Sequence, residues 1–189
     1  YALYVTEDNN SEQPIELLNM LSATERADSL GADIISCSLG YNTFPDFPSA
    51  DFVFATDFDG VSTYAAKAAN TATKKGMLFV TSAGNEGGGS WNMILTPGDA
   101  DSALTIGNVD YSGNVAASSG YGPNAAGQVK PDVCADGQPA SIFLGSGYGT
   151  ESGTSFSTPQ IAGWAACLWE TKPASTPWQV RQAIIKCAS

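Results

Sequence analysis

The stretch Glu151-Ser-Gly-Thr-Ser-Phe-Ser-Thr-Pro-Gln-Ile-Ala-Gly163 organises this chain, because it joins a glycine-rich loop to a long apolar segment. Apolar residues continue to Leu168 on every side of a helical projection, which predicts a helix that is buried all round. Pro159 suits the first turn of that helix, since the backbone N–H that proline lacks is not needed there. The helix is therefore predicted to begin at Thr154 or Ser155.

A serine at the start of a buried helix has two interpretations. Free N–H groups and the helix dipole favour negative charge there, so the Ser155 hydroxyl would be well placed to attack a carbonyl carbon. Serine is also a common helix N-cap, which is a purely structural use. This stretch alone supports both interpretations equally.

Strand and helix patterns alternate along the rest of the chain. Strands are predicted at residues 1–6, 32–39, 77–82, 103–109 and, with a turn, 130–137; helices are predicted at 15–30, 65–72 and 176–186. This alternation is typical of an α/β fold, a parallel β-sheet with helices on both faces in three α/β/α layers. Ligands of such sheets bind beyond the carboxyl ends of the strands. Residues 38–40 and 82–85 fall at those ends.

Composition narrows the class of protein. The 189 residues are 43% hydrophobic and 14% charged, which indicates one globular domain over 1–189. A formal charge of −11 with only 8 Lys and Arg argues against nucleic-acid binding. No apolar run reaches the roughly 18 residues of a membrane span, so no membrane segment is expected.

A metal site is not expected from the sequence. The chain has no histidine, and its four cysteines form no Cys-x-x-Cys pair. Cys37 falls in a predicted strand and Cys167 in the apolar helix, so both are predicted to be buried thiols. Spacing leaves disulfide pairing open, with free thiols favoured. Irregular spacing favours a solvated loop over a calcium site for the acidic residues Asp46, Asp51, Asp57 and Asp59.

Several motifs resemble those of the subtilisin-like serine proteases (subtilases, peptidase family S8). Gly153-Thr-Ser-Phe-Ser-Thr-Pro-Gln-Ile-Ala-Gly163 resembles the nucleophile motif of the family, with Gln160 where histidine is frequent. Ala83-Gly-Asn85 resembles its oxyanion motif, although Asn85 could also be an ordinary turn residue. Ser38-Leu-Gly40 and Lys130-Pro-Asp-Val-Cys-Ala-Asp-Gly137 match in family order, the latter with Asp136 where proline is usual.

The resemblance implies a role for each matching residue. Ser155 would be the nucleophile, flanked by Gly153 and Thr154, and Asn85 would stabilise the oxyanion. The segment Ser38, Leu39 and Gly40 would pair with an extended peptide or protein substrate. The wall of the substrate pocket would be formed by Thr81, Ser82, Ala83 and Gly84. The resemblance implies no cofactor or metal, and a location that is secreted or in the cell envelope, with a signal peptide upstream.

A serine nucleophile needs a general base, and this chain contains no histidine. In the family the catalytic aspartate and histidine precede the segments matched here. We therefore expect the chain to be the C-terminal portion of a catalytic domain whose N-terminal part is missing, and to be inactive by itself. Sedolisins share a Ser-Gly-Thr-Ser motif with residues 152–155, but they carry aspartate at the position of Asn85.

The alternative function is a non-catalytic peptide-binding module, a pseudoprotease that keeps the groove without the base. An upstream Asp-Ser/Thr-Gly motif followed by His-Gly-Thr would favour the enzyme. A domain that lacks its N-terminal part would leave apolar surface uncovered, so we also expect this chain to self-associate.

Overall fold

A four-stranded parallel sheet forms the middle layer of the structure, a computed structural model that describes residues 2–7, 11–143 and 145–188. The helices are α1 (Ile15–Ser29), α2 (Phe54–Asp57), α3 (Tyr64–Lys75), α4 (Thr154–Thr171) and α5 (Pro177–Cys187). The strands are β1 (Ile34–Cys37), β2 (Leu78–Ser82), β3 (Leu104–Asp110), β4 (Val133–Gln138), β5 (Ala140–Phe143) and β6 (Tyr148–Glu151). The large sheet has the order β1-β2-β3-β4, so each new strand adds to the same edge.

Strand β2 shows how the three layers are held together. Its five residues are all buried, and successive side chains point to opposite faces of the sheet. Phe79 packs in a cluster with Met20 of α1 and Ala69 of α3. Val80 packs on the other face, in a cluster with Ala165 of α4 and residues of α5. This arrangement confirms the predicted parallel sheet with helices on both faces.

Local capping residues mark where α3 begins and ends and where α5 begins. The Thr63 side chain caps the start of α3, and Gly76 ends that helix with a φ of 106°, a left-handed conformation that suits glycine. At α5, Thr176 and Gln179 form a reciprocal capping box, and Pro177 is the first helical residue. Both helices are therefore set largely by local sequence.

Helix α4 begins at Thr154, as predicted, but two other expectations for it are wrong. Ala165 is fully buried, whereas the Trp164 side chain beside it is 73% exposed. Only one side of α4 packs on the sheet, so this apolar helix is not buried all round by the part of the chain that the structure describes. Pro159 is the sixth helical residue and not a first-turn residue.

The predicted N-terminal strand is also wrong where it can be compared. Residues 2–7 form no strand, and Tyr1 and residues 8–10 lie outside the described part. The Thr6 carbonyl oxygen accepts a hydrogen bond from the Asn19 side chain of α1 at 3.1 Å. An alternating pattern makes a strand only where a neighbouring strand offers backbone partners, and this segment contacts a helix instead.

Two regions expected to be loops contain regular structure. The glycine-rich region before α4 forms an antiparallel hairpin of β5 and β6, in which the Phe143 and Tyr148 rings lie 5.5 Å apart. The segment 40–59 includes a short 3₁₀ turn (Pro48–Ala50) and α2. Cross-strand contacts, which the glycine count does not reveal, order the hairpin.

The cysteines divide into one buried and three exposed thiols. Cys37 is buried, as predicted, whereas Cys167 is exposed because it lies on the uncovered side of α4. Cys134 and Cys187 are exposed, and all four are free thiols. None of the described helices is long and apolar enough to cross a membrane.

Candidate active site

Two reciprocal hydrogen bonds join the end of β1 to the start of α4. The Ser38 hydroxyl donates to the Ser155 carbonyl oxygen at 3.0 Å, and the Ser155 hydroxyl donates to the Ser38 carbonyl oxygen at 3.1 Å. Ser38 directly follows β1, and Ser155 is the second residue of α4. They are 117 positions apart, so the packing of α4 on the sheet brings them together.

The position of Pro159 explains why the Ser155 carbonyl is free to accept this bond. In an α-helix the carbonyl of residue 155 would accept the N–H of residue 159. Proline has no N–H, so it leaves that carbonyl without its helical partner. The Ser38 hydroxyl supplies the missing donor. Pro159, which lies inside α4 and not in its first turn, therefore helps to hold β1 against α4.

Asn85, in the segment after β2, contacts the same helix start. Its Oδ1 accepts the Thr154 backbone N–H at 2.9 Å and the Thr154 hydroxyl at 3.1 Å. Gly153 precedes the helix and has no side chain for this purpose, so Asn85 acts as the helix cap from 69 positions away. Because this one atom of the Asn85 side chain accepts two hydrogen bonds, it is the amide oxygen. The amide nitrogen, Nδ2, is left as the donor end.

Two N–H groups at this helix start have no acceptor in the part of the chain that the structure describes. Among the described residues, neither Nδ2 of Asn85 nor the backbone N–H of Ser155 donates a hydrogen bond. The first N–H groups of a helix lack helical partners and carry the positive end of its dipole. The unpaired donors and the Ser155 hydroxyl together form a site suited to an oxygen atom that gains negative charge.

Glycines allow this close packing. A Cβ atom added to Gly153 would lie 3.3 Å from both Nδ2 and Oδ1 of Asn85. A Cβ on Gly137 would lie 2.6 Å from the Gly153 carbonyl oxygen and 2.4 Å from the Ser157 hydroxyl. Gly137 also accepts the Gly153 backbone N–H at 3.0 Å. The end of β4 is therefore pressed against the start of α4, and any side chain would separate them.

The residues expected to form the pocket wall are buried, and the Leu95 side chain occupies the space beside Gly40 and Gly84. Residues 81–84 are all buried, and Thr81 lies within the sheet in register with Cys37. The Ser82 hydroxyl donates to the Leu39 carbonyl oxygen at 3.3 Å, which ties the two strand ends together. Leu95 lies between them: a Cβ on Gly40 would come within 2.8 Å of it and a Cβ on Gly84 within 2.5 Å. The sequence did not single out Leu95, because no motif marks it.

An open cavity lies beyond this filled region. It has a volume of about 320 Å³ and is lined by Asn42, Thr43, Glu86, Ser90 and Trp91. Its lining residues belong to the segments that follow β1 and β2, and one of them, Glu86, directly follows Asn85 in the sequence. No motif marks these lining residues in the sequence.

No general base contacts Ser155 within the part of the chain that the structure describes. Among the described residues, the Ser155 hydroxyl has one acceptor, the Ser38 carbonyl oxygen, which cannot take a proton at neutral pH. Burial raises the pKa of the neighbouring Cys37 thiol to about 11, so Cys37 stays protonated. Within its described residues the site therefore holds a serine hydroxyl and two unpaired N–H donors, without a base.

Three carboxylates of the 40–59 segment have structural partners. Asp51 accepts the Phe44 backbone N–H, Asp57 accepts that of Val53, and Asp59 accepts those of residues 61 and 62. The described residues contain no cluster of three or more acidic, cysteine or histidine side chains that could hold a metal ion. These aspartates therefore act as turn caps.

Known proteins with similar sequences are proteases. The model of the subtilase family, Peptidase_S8, matches residues 3–189. Subtilisin Savinase from Lederbergia lenta is 34% identical over 124 residues, which cover 65% of this chain and 43% of that protein. Serine protease AprX from Bacillus subtilis (strain 168) is 28% identical over 199 aligned residues, which cover 94% of this chain and 38% of that protein.

Solved structures agree with the fold. The prenylagaramide maturation protease PagA is 25% identical with a TM-score of 0.70, over 92% of this chain and 57% of that chain. A cold-adapted subtilisin-like serine proteinase is 24% identical with a TM-score of 0.67, over 88% of this chain and 52% of that chain, and shows the fold alone. This chain spans less than half the length of the curated relatives named above.

Proposed function

This chain belongs to the subtilase family of serine proteases, and on that premise we propose that it carries the nucleophile and the oxyanion site of an endopeptidase. The Ser155 hydroxyl oxygen would attack the peptide carbonyl carbon as its proton passes to a general base. The C–N bond would then break, the amine product would leave with that proton, and water would hydrolyse the acyl-enzyme. The observation that carries the proposal is the contact of Asn85 with Thr154, the residue before Ser155, together with two N–H donors that have no acceptor among the described residues.

The donors suit the charge that acyl transfer creates. Attack on the carbonyl places negative charge on its oxygen, and a fixed donor there is worth about 2.7–4 kcal/mol. The Asn85 amide is held by its own oxygen on Thr154, so its nitrogen needs no reorganisation to donate. The backbone N–H of Ser155 would be the second donor.

The general base and its orienting acid are proposed to come from a part of the full-length protein outside this chain. The absence of histidine from all 189 residues supports this, as does the fraction of each relative that the chain spans. By itself the chain is then expected to be inactive. The proposal includes a peptide or protein substrate, no cofactor and secretion or attachment to the cell envelope.

A non-catalytic peptide-binding module is the second candidate. One observation favours it: the Ser155 hydroxyl already donates to a backbone carbonyl and contacts no base among the described residues. Such a module would use the same strand ends and cavity but leave the bound peptide intact.

The test compares hydrolysis and serine reactivity in the full-length protein. An active-site phosphonate should label Ser155, and Ser155→Ala should abolish both labelling and hydrolysis of a peptide ester, by at least about 10⁴-fold. Ser112→Ala, at an exposed serine in the turn that follows β3, is the matched control and should keep full activity. Intact peptide after long incubation with unmodified protein, together with tight binding, would favour the module.

A further inference from the structure

We propose that Tyr121 is a positioning residue for the candidate oxyanion donor Asn85, because its side chain tethers the glycine-rich loop that follows that donor. This role rests on the proposed function and deepens it by naming a residue that acts on the reaction without touching the reacting atoms. Three features support it: the composition of the loop, the backbone contacts on both sides of Asn85, and one hydrogen bond at the far end of the loop.

The loop after Asn85 is intrinsically flexible. Its sequence, Glu86-Gly-Gly-Gly-Ser-Trp-Asn92, holds three consecutive glycines. Glycine has more backbone freedom than any other residue, so a run of three is costly to hold in one conformation. An oxyanion donor, in contrast, is effective only if it is already fixed where the negative charge develops. The Asn85 amide therefore needs contacts that hold this loop in place.

Residues 116–121, which we call the brace segment, contact the backbone on both sides of the candidate oxyanion donor. The Gly84 carbonyl oxygen accepts the Gly120 N–H at 2.8 Å, and the Gly87 N–H donates to the Ser118 carbonyl oxygen at 3.0 Å. A Cβ atom added to Gly87 would lie 2.1 Å from a carbonyl oxygen of the brace segment. The two backbones are therefore in direct contact, and the brace segment fixes the start of the loop.

The brace segment is itself attached to strand β3. The Asn108 backbone N–H donates to the Ser119 hydroxyl oxygen at 3.0 Å, and the Asn108 carbonyl oxygen accepts the Ala116 N–H at 2.9 Å. All three residues are buried. Because β3 pairs with a strand on each side, it gives the brace segment a rigid support.

Tyr121 extends this support to the far end of the loop. Its hydroxyl donates a hydrogen bond to Oδ1 of Asn92, and its carbonyl oxygen accepts the Ile94 N–H at 3.0 Å. The Asn92 N–H in turn donates to the Glu86 carbonyl oxygen at 3.1 Å, which closes the loop. Two hydrogen bonds thus link the Tyr121 side chain to the residue directly after Asn85.

The backbone conformation of Asn92 explains why the loop needs this tether. Among the described residues, Asn92 is the only one other than glycine with a positive φ, which is 62°. That left-handed conformation is unfavourable for a residue with a side chain, although asparagine tolerates it better than most. The hydrogen bond from Tyr121 offsets the cost. Without it the loop is freer to leave the conformation that closes on Glu86.

The first test compares kcat with KM in the full-length protein. Tyr121→Phe removes one hydroxyl from a side chain that is 43% exposed, so the midpoint of thermal unfolding should stay within about 3 °C. The kcat for a peptide substrate should fall by about three- to tenfold with KM unchanged, which is less than for removal of the Asn85 donor itself.

The matched control for this test is Tyr111→Phe. Tyr111 is 79% exposed and directly follows β3, so this variant should keep full activity. An unchanged kcat in Tyr121→Phe, or an equal fall in both variants, would overturn the proposal.

A double variant shows whether Tyr121 acts through Asn85. In full-length protein that already carries Asn85→Ala, no donor is left to position, so adding Tyr121→Phe should change kcat by less than about twofold. A merely structural effect of the hydroxyl would persist in that background. A further three- to tenfold loss there would therefore overturn the proposal.

Amide hydrogen exchange distinguishes failure of this inference from failure of the proposed function, because it requires no hydrolysis. In full-length protein carrying Ser155→Ala, Tyr121→Phe should speed exchange of the Gly87, Gly89 and Asn92 amides by at least about threefold and leave the amides of β2 unchanged. Unchanged exchange of the loop, in a protein whose unmodified form hydrolyses peptides, overturns the inference alone. Faster exchange in a protein whose unmodified form hydrolyses no peptide supports the tether and overturns the protease proposal.

Discussion

Two polar clusters of this molecule differ in how completely their hydrogen-bonding groups are paired. At the carboxyl end of the sheet, Asn85 and Ser155 each have an N–H donor with no acceptor among the described residues. Near the amino ends of β3 and β4, Lys130, Asp132 and Arg181 form a buried cluster. The same sheet therefore carries one polar cluster with spare donors and another in which the charges are paired.

The buried cluster is closely paired. The Lys130 ammonium donates to the Ala103 carbonyl oxygen, the Thr105 hydroxyl and the Asp132 carboxylate, each within about 3.1 Å. Arg181 donates to the same Ala103 oxygen and to the other Asp132 oxygen. A buried charge is costly unless it is paired in this way. We infer that paired groups stabilise the fold, whereas unpaired donors are kept for a ligand.

The largest effect is expected at Asp132. Asp132→Asn leaves two buried cations without their anion, so the free energy of unfolding should fall by about 3–5 kcal/mol. Urea unfolding of the full-length protein measures the loss. Asp28→Asn, which removes an exposed ion pair with Lys75, is the control and should cost less than about 1 kcal/mol. Similar losses in both variants would show that the buried cluster is not special.

The second largest effect is expected at Asn85, where two variants distinguish the role of the amide oxygen from that of the amide nitrogen. Asn85→Asp keeps the oxygen that caps Thr154 but removes the N–H donor, so kcat of the full-length protein should fall by about 10²–10³ while its stability is retained. Asn85→Ala should lose the same factor in kcat and, in addition, about 0.5–2 kcal/mol of stability. Paired kinetic and unfolding measurements on the two variants check this. Full activity of Asn85→Asp would contradict the role as a donor.

Asp99 carries an incompletely paired carboxylate, which interacts electrostatically with Lys130 of the buried cluster. Burial raises its pKa from the usual 3.8 to about 6, and one of its oxygens has no hydrogen-bond partner among the residues that the structure describes. The folded state then holds the proton more tightly than the unfolded chain. The free energy of unfolding should therefore fall as pH rises from about 4 to about 6, by up to about 3 kcal/mol.

Asp99→Asn should remove this fall in denaturant unfolding across that pH range. Asp110→Asn is the control: hydrogen bonds from Asn114 lower the pKa of the exposed Asp110 carboxyl, so its contribution has the opposite sign. A pH dependence that is unchanged in Asp99→Asn would contradict the assignment.

The smallest effect is expected at Ser38. Ser38→Ala removes the donor to the Ser155 carbonyl that Pro159 leaves free, and should cost about 1 kcal/mol of unfolding free energy. The double variant with Pro159→Ala restores an N–H at position 159, so the cost of losing the Ser38 hydroxyl should shrink. Additive losses in the double variant would show that the two residues do not share this acceptor.

Local signals in the sequence determined most of the fold. The cap at Thr176, the stop at Gly76 and the buried run of β2 each act over a few residues, so they could be interpreted without a structure. The motif residues also lie at the predicted strand and helix ends. Two predictions were wrong: the strand before residue 7 and the loop before α4. Whether either segment forms a strand depends on a second strand that can pair with it, and that partner cannot be recognised from a local pattern.

By itself, then, the sequence determined the layers, the order of the elements and the identity of the nucleophile candidate, since periodicity and capping are local. Only the tertiary structure decided that Asn85 caps α4 from 69 positions away, that Pro159 frees a carbonyl for Ser38, and that Leu95 fills the expected pocket. It also decided that Trp164 is exposed. Each of these depends on which surfaces meet across the sheet, and no short stretch of sequence contains that information.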